Sequence, residues 1–165
     1  MRRWEIAAPP EKDQVQSLSN SLGISPLLAA VLVQRGYSTK PGARQFLWPK
    51  LSYLHTPFAL DGMTAAVERL HLAKQQGERV GVFGDYDVDG ITSTALLVLA
   101  LKAQGLDVIY RLPERLTEGY GLSQAGLLDL AQGGAKVIVT VDCGIASLTE
   151  LQWAKDQGLD VIICD

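Results

Sequence analysis

Three aspartates at alternating positions, Asp85, Asp87 and Asp89, form the sequence GDYDVDG between an apolar run and a long aliphatic segment. Two carboxylates held ~4 Å apart repel one another by about 4 kcal/mol at an effective dielectric constant of 20. A divalent cation offsets that repulsion, and oxygen ligands of this kind suit Mg²⁺ or Mn²⁺. The pattern therefore predicts a metal site, and metal-assisted hydrolysis of a phosphoester is the chemistry that such a site supports.

Two further aspartates, Asp142 in TVDCGIAS and Asp165 in VIICD, each follow an apolar run. Short apolar runs predict strands at residues 79–83, 107–112, 136–141 and 160–164, and the segments between them predict helices at about 91–104, 123–132 and 147–157. This alternation predicts an α/β fold with a parallel sheet and helices on both faces. All the aspartates then follow strand ends, where open α/β sheets bind ligands.

The first sixty residues have a different pattern of apolar and polar residues, with no strand-like alternation. A helix is predicted at residues 11–22, a second opens at Ser25-Pro26, and Thr39 can cap a third. We therefore expect a small helical lead-in at 1–60, followed by the α/β domain at 61–165.

Composition indicates a globular protein, because 47% of the 165 residues are apolar and 20% are charged. The net charge is −3, but the first fifty residues contain seven basic and three acidic residues. That segment could face a polyanion, although the charge alone favours an ordinary mixed surface. No apolar run is long enough to span a membrane and no secretory leader is recognised, so we expect a cytoplasmic protein without membrane contact. Cys143 and Cys164 lie in apolar runs and are expected to be buried free thiols.

The acidic motif has three other interpretations. An EF-hand calcium loop would need glutamate at its twelfth position, which is Leu96 here, and a helix rather than a strand before it. A haloacid-dehalogenase phosphatase would use Asp87 as nucleophile, but it would place that residue closer to its strand and add a later lysine motif. Purely structural helix caps could explain Asp89 or Asp142 singly, but not the whole set.

The segments GDYDVDG, PERLTEGYGLS, VTVDCGIAS and VIICD, in this order and spacing, resemble the first motifs of the DHH phosphoesterase superfamily. The resemblance covers most of residues 60–165. Within the superfamily it is closest to the bacterial exonucleases specific for single-stranded DNA. Small-oligonucleotide phosphodiesterases and family II pyrophosphatases commonly begin this motif near a histidine, where Asp85 and Tyr86 stand here.

The resemblance implies a set of site residues. Asp87, Asp89 and Asp142 would be catalytic and would bind Mn²⁺ or Mg²⁺, with two ions in a full-length protein. Asp85 would be a ligand or a close neighbour of one, and Asp165 would be the aspartate of the Asp-His-His motif. A substrate-binding loop would consist of Arg115, near the substrate phosphate, with Gly119, Tyr120 and Gly121.

The resemblance also implies a function: 5′-to-3′ exonucleolytic hydrolysis of single-stranded DNA in repair and recombination. Expected partners are single-stranded DNA, a single-stranded-DNA-binding protein and a helicase. The alternatives are a phosphodiesterase acting on small oligonucleotides and a non-catalytic module that binds metal or a partner. The two histidines and the later domains expected of such exonucleases do not occur in these residues. We therefore expect the N-terminal part of a DHH domain, inactive by itself.

Overall fold

The computed structural model describes residues 8–114, 119 and 121–165. The chain divides into two compact units, residues 1–57 and 58–165. The first unit contains helices α1 (Lys12–Leu22), α2 (Pro26–Gln34) and α3 (Lys40–Leu47), which confirms the helical segment ahead of the sheet. The hydroxyls of Ser25 and Thr39 accept hydrogen bonds from the first turns of α2 and α3, as their sequence positions predict.

The second unit is built from strands and helices in alternation. In chain order they are α4 (Met63–Gln76), β1 (Arg79–Gly84), α5 (Val88–Ala103), β2 (Val108–Arg111), α6 (Gln124–Gln132), β3 (Ala135–Val141), α7 (Leu148–Asp156) and β4 (Asp160–Cys164). The four strands pair in parallel in the order β2-β1-β3-β4. The predicted parallel α/β fold is confirmed.

Helices cover both faces of this sheet, as predicted. On one face, α4 and α5 pack over Val80, Val82, Val137 and Val139. On the other face, α6 and α7 pack over side chains that include Phe83 and Ile138. Because each central strand is buried on both sides, its sequence is a continuous apolar run rather than an alternation.

The junction of β1 with α5 is closely packed. A Cβ atom on Gly90 would lie 2.4 Å from the carbonyl oxygen of Asp85, and a Cβ atom on Gly84 would lie 1.9 Å from Oγ1 of Thr94. Neither distance is compatible with a side chain, so only glycine lets the start of α5 touch the end of β1. The helix is thereby fixed directly beside the first acidic motif.

One expectation about the cysteines is wrong. Cys143 is buried, but Cys164 is exposed. Its strand, β4, is the outermost strand of the sheet within the described residues, so it has a paired strand on one side only.

No single helix in the described part of the chain has the length and apolar character needed to cross a membrane. Helices α1 and α2 meet the length and composition only when taken together, and the chain bends by 118° between them.

Candidate metal centre at the carboxyl edge of the sheet

Three aspartates directly follow three adjacent strands. Gly84 of β1 is in register with Val141 of β3, which is in register with Cys164 of β4. The residues that come next are therefore in one row along the carboxyl edge of the sheet, with ~4.8 Å between neighbouring strands. They are Asp85, Asp142 and Asp165.

The strand order places a topological switch point within this row. From β1 the chain moves to β2 on one side, and it then returns to β3 on the other side of β1. Connections that leave in opposite directions open a crevice between the two strands, which is the usual ligand position in such sheets. Asp85 and Asp142 stand on the two sides of this crevice.

Asp87 and Asp89 belong to the start of α5. Asp87 is the N-cap residue, and its Oδ1 accepts hydrogen bonds from the backbone N–H groups of Asp89 and Gly90 at 3.0 and 2.9 Å. The helix begins at Val88, three residues before the predicted start, because this cap satisfies its first donors. Asp87 therefore caps the helix and also places a carboxylate beside the crevice.

Asp142 has an unusual backbone conformation, with φ at 59° in the left-handed region. Its backbone N–H donates to the carbonyl oxygen of Cys164 at 2.9 Å, which fixes this turn against β4. Aspartate tolerates this region better than most residues, although non-glycine residues there still store of order 1–3 kcal/mol of strain. The strained turn directs the end of β3 toward the acidic motif.

The Asp142 carboxyl is close enough to the first acidic motif to be affected by its charges. Partial burial, followed by the negative charges of Asp87, Asp89 and Asp85, raises the pKa of Asp142 above its ordinary value. Mutual repulsion of this kind shows that the aspartates of the two loops share one electrostatic environment.

Asp85 is fully buried, and neither of its carboxylate oxygens has a hydrogen-bond partner among the described residues. Burying such a group without a partner costs several kcal/mol, and far more if it is charged. A cation bound beside it would compensate that cost. The orphaned carboxylate is therefore the observation that best fits a metal at this edge.

Two other groups at the edge have defined roles. Oδ2 of Asp165 accepts a hydrogen bond from the backbone N–H of Ile145 at 2.9 Å, which ties the loop after β3 to the end of β4. Burial, and then the charges of Asp85, Asp165 and Asp142, raises the pKa of Cys143 to about 12. The free Cys143 thiol therefore stays protonated and packs as a core side chain.

The donor set fits a hard cation, with one restriction. Within residues 8–114, 119 and 121–165, no group of three His, Cys, Asp or Glu residues is arranged to hold one ion. The Asp87–Asp142 pair suits a site in which one or two carboxylates bind and water completes the shell, as is common for Mg²⁺. Which carboxylates ligate an ion stays a prediction.

The predicted substrate loop is described only in part. Gly119 and Gly121 both have positive φ, at 81° and 88°, and glycine suits that conformation. Arg115 and Tyr120 lie outside the described residues.

Sequence reasoning missed the contribution of Gly84 to this site. A glycine inside a strand often marks the close approach of another backbone, and that was the available signal. It also missed the hydrogen bond between Ile145 and Asp165, which depends on the pairing of β3 with β4 and has no local signature.

The raised pKa of Asp142 predicts a pH-dependent stability difference. Because the folded chain binds the Asp142 proton more readily than the unfolded chain, wild type should gain stability relative to Asp142→Asn as pH falls from neutral toward ~3.9. Without metal, we expect Asp142→Asn to be the more stable protein at pH 7 and the difference to vanish below both pKa values. Urea unfolding in EDTA across this range measures it. A difference that stays constant with pH would contradict the repulsion.

The comparisons with known proteins agree with this geometry. Residues 79–165 match the DHH family, N-terminal domain. Over 163 residues the chain is 42% identical to the single-stranded-DNA-specific exonuclease RecJ of Bacillus subtilis (strain 168), an alignment that covers 99% of this chain and 21% of that protein.

Two solved structures extend the comparison. RecJ from Thermus thermophilus in complex with Mn²⁺ has a TM-score of 0.70 and 32% identity, covering 98% of this chain and 22% of that one. The Mg²⁺ complex from the same organism has a TM-score of 0.58 and 30% identity, covering 96% of this chain and 19% of that one. The chain thus spans about a fifth of the length of these relatives.

Proposed function

The chain belongs to the DHH family, and from that premise we propose that it supplies one wall of the metal centre of a phosphodiesterase that degrades single-stranded DNA. The observation that carries this proposal is the fully buried, unpartnered carboxylate of Asp85, which follows β1 at the switch point as Asp142 follows β3. Relatives at up to 47% identity are named as single-stranded-DNA-specific exonucleases, and solved RecJ structures hold Mn²⁺ or Mg²⁺.

The side chains would have distinct tasks. Asp87 and Asp142 would hold the ion, Asp85 would balance its charge from the buried side, and Asp89 and Asp165 would complete the ligand set. A bound Mn²⁺ or Mg²⁺ would lower the pKa of an attacking water and polarise the phosphoryl group, and a second ion would stabilise the leaving oxygen. The chain's own residues bind and orient the reacting groups.

The first turn of α7 is a candidate contact for the substrate phosphate. Ser147 is its N-cap residue but makes no side-chain cap hydrogen bond, unlike Asp87 at α5. The backbone N–H of Leu148 donates to the carbonyl oxygen of Ala146 at 3.0 Å, so the later donors of the first turn would meet an anion, which the positive end of the helix dipole favours. Arg115, Gly119, Tyr120 and Gly121 would contribute a further phosphate contact from the loop after β2.

The finer parts of the proposal rest on the family resemblance. They are 5′-to-3′ polarity, a role in DNA repair and recombination in the cytoplasm, and cooperation with a single-stranded-DNA-binding protein and a helicase.

The test uses the chain extended to the length of its relatives, with Mn²⁺ and an oligonucleotide labelled at its 5′ end. We expect the label to be released first as a short product, whereas a 3′-labelled strand should shorten progressively. The same strand in a blunt duplex should be cleaved much more slowly. Equal cleavage of the duplex, or release of the 3′ label first, would contradict the proposed substrate or polarity.

A non-catalytic metal- or partner-binding module is the second candidate. It is favoured by one observation: no three-ligand group forms within the described residues. In that case the extended protein would bind Mn²⁺ but leave every labelled strand intact.

The 165-residue chain alone is expected to be a poor nuclease. With fewer than three protein ligands poised for one ion among the described residues, it should bind Mn²⁺ at least about 100-fold more weakly than the extended protein. Loss of a second ion and of substrate orientation should slow cleavage by about 10³-fold or more. Calorimetry and the labelled-strand assay measure both quantities. Cleavage by the short chain at the rate of the extended protein would show that its own carboxylates suffice.

A further inference from the structure

Four exposed aliphatic residues lie close in sequence to the candidate metal ligands, on the same two segments of the chain. Val88 and Ile91, at the start of α5, are 71% and 46% exposed, and Ile145 and Leu148, after β3, are 69% and 76% exposed. We call these four residues the apolar rim. Single exposed aliphatic residues are common on protein surfaces, but these four all lie within about six positions of a candidate ligand.

The rim is fixed to the metal centre by short covalent and hydrogen-bonded connections. Val88 lies between Asp87 and Asp89, directly after the helix cap. Ile145 donates its backbone N–H to the carboxylate of Asp165 at 2.9 Å. The backbones of Val88 and Ile145 therefore lie on the segments that leave β1 and β3 at the crevice, and neither backbone can move far without moving a carboxylate.

An inorganic phosphate or pyrophosphate would gain nothing from such side chains, because all of its surface is polar and charged. A nucleotide differs, since next to its phosphate it has a deoxyribose and a base with apolar faces. Branched aliphatic side chains pack against such faces in other nucleic-acid complexes, including against the thymine methyl group and between neighbouring bases.

We propose that Val88 and Ile145 contact the deoxyribose and base of the nucleotide whose phosphate lies at the carboxylates, so that the site selects nucleotides over inorganic phosphates. This inference rests on the proposed function and adds to it a selection step that the carboxylates cannot supply. It also suits a single strand, whose unstacked bases leave their faces free for such contacts.

The test observes the side chains directly and does not require cleavage. The chain extended to the length of its relatives is prepared with ¹³C-labelled Ile and Val methyl groups and saturated with diamagnetic Mg²⁺, and it is titrated with thymidine 5′-monophosphate or with inorganic phosphate. We expect the methyl resonances of Val88 and Ile145 to shift saturably with the nucleotide and hardly at all with phosphate.

Two rim variants and one control make the test quantitative. Ile145→Ala and the nearly isosteric Val88→Thr should each weaken nucleotide binding about five-fold, consistent with a partly buried aliphatic contact, and leave phosphate binding unchanged. Leu99→Ala removes an equally exposed side chain from the same helix, ~16 Å further along its axis, and should change neither affinity.

The outcomes separate the inference from the proposed function. If the variants weaken phosphate binding as much as nucleotide binding, the rim acts through the carboxylates and the inference is wrong. If phosphate binds but the nucleotide leaves both methyl groups unshifted, the base contacts another surface, and only the inference fails. If wild type binds neither ligand with Mg²⁺ present, the proposed function is contradicted and the inference falls with it.

Discussion

Replacing Asp142 with asparagine in the extended protein is expected to reduce metal-dependent cleavage of single-stranded DNA by at least about 10³-fold while the protein stays folded. Asparagine keeps the size of the side chain and tolerates the left-handed backbone at this position, but it removes the charge that an ion needs. Several kcal/mol of transition-state stabilisation would be lost with that ion, and each ~1.36 kcal/mol is tenfold in rate.

Asp87→Asn should have the same effect on cleavage and is a better choice than alanine. The Asp87 side chain caps α5, and alanine there would cost about 1 kcal/mol of stability in addition to any loss of metal. Asparagine can still accept the cap hydrogen bonds, so the activity loss can be assigned to the metal centre.

A matched control is Asp156→Ala, which removes an exposed carboxylate from the opposite end of α7. It should retain full activity and Mn²⁺ affinity. Melting curves with and without Mn²⁺ complete the measurement, since the two asparagine variants should lose the metal-induced rise in melting temperature. An Asp142→Asn protein that cleaves at the wild-type rate would exclude Asp142 from the metal centre.

Gly90→Ala is expected to destabilise the chain by about 3 kcal/mol or more, although alanine ordinarily favours a helix over glycine by about 1 kcal/mol. The new Cβ atom would meet the backbone oxygen of Asp85 at 2.4 Å, and a backbone atom cannot rotate away as a flexible side chain can. The start of α5 would have to separate from the end of β1, which would also displace Asp87.

Urea unfolding compares this variant with Thr92→Ala, a change at an exposed position in the same turn that should stay within about 0.5 kcal/mol of wild type. A Gly90→Ala protein with the stability and the Mn²⁺ affinity of wild type would show that the helix and strand do not touch in the way described. A stable variant with weakened Mn²⁺ binding would indicate that the helix shifted at little cost.

The sequence predicted the architecture because strands buried on both faces leave a signal that few other structures share. The apolar runs at 79–83 and 136–141 are such strands, and the structure places both at the centre of the sheet. The predicted start of α5 is wrong by three residues because one residue has two roles. The acidic motif predicts Asp87 as a metal ligand, and the structure shows that the same side chain caps the helix.

Other features of the candidate site could not be predicted because they depend on tertiary pairing. The left-handed backbone of Asp142 accompanies a hydrogen bond to Cys164 on another strand. Charged groups are rarely buried without partners, so the complete burial of Asp85 contradicts the ordinary expectation for its residue type. The exposure of Cys164 depends on which strand lies at the edge of the sheet, and the local sequence does not predict that.

The strand order has a consequence for how the chain folds. β1 pairs with β3, and Val80 lies opposite Val137. The two central strands therefore cannot pair until the whole segment between them in the chain has been brought to one side. Such long-range pairing carries a large loop-closure entropy and slows folding. The carboxylates of the two strands become neighbours only at that late step, so an early intermediate would have no ion-binding pair. Mn²⁺ should therefore leave the folding rate nearly unchanged and slow unfolding instead.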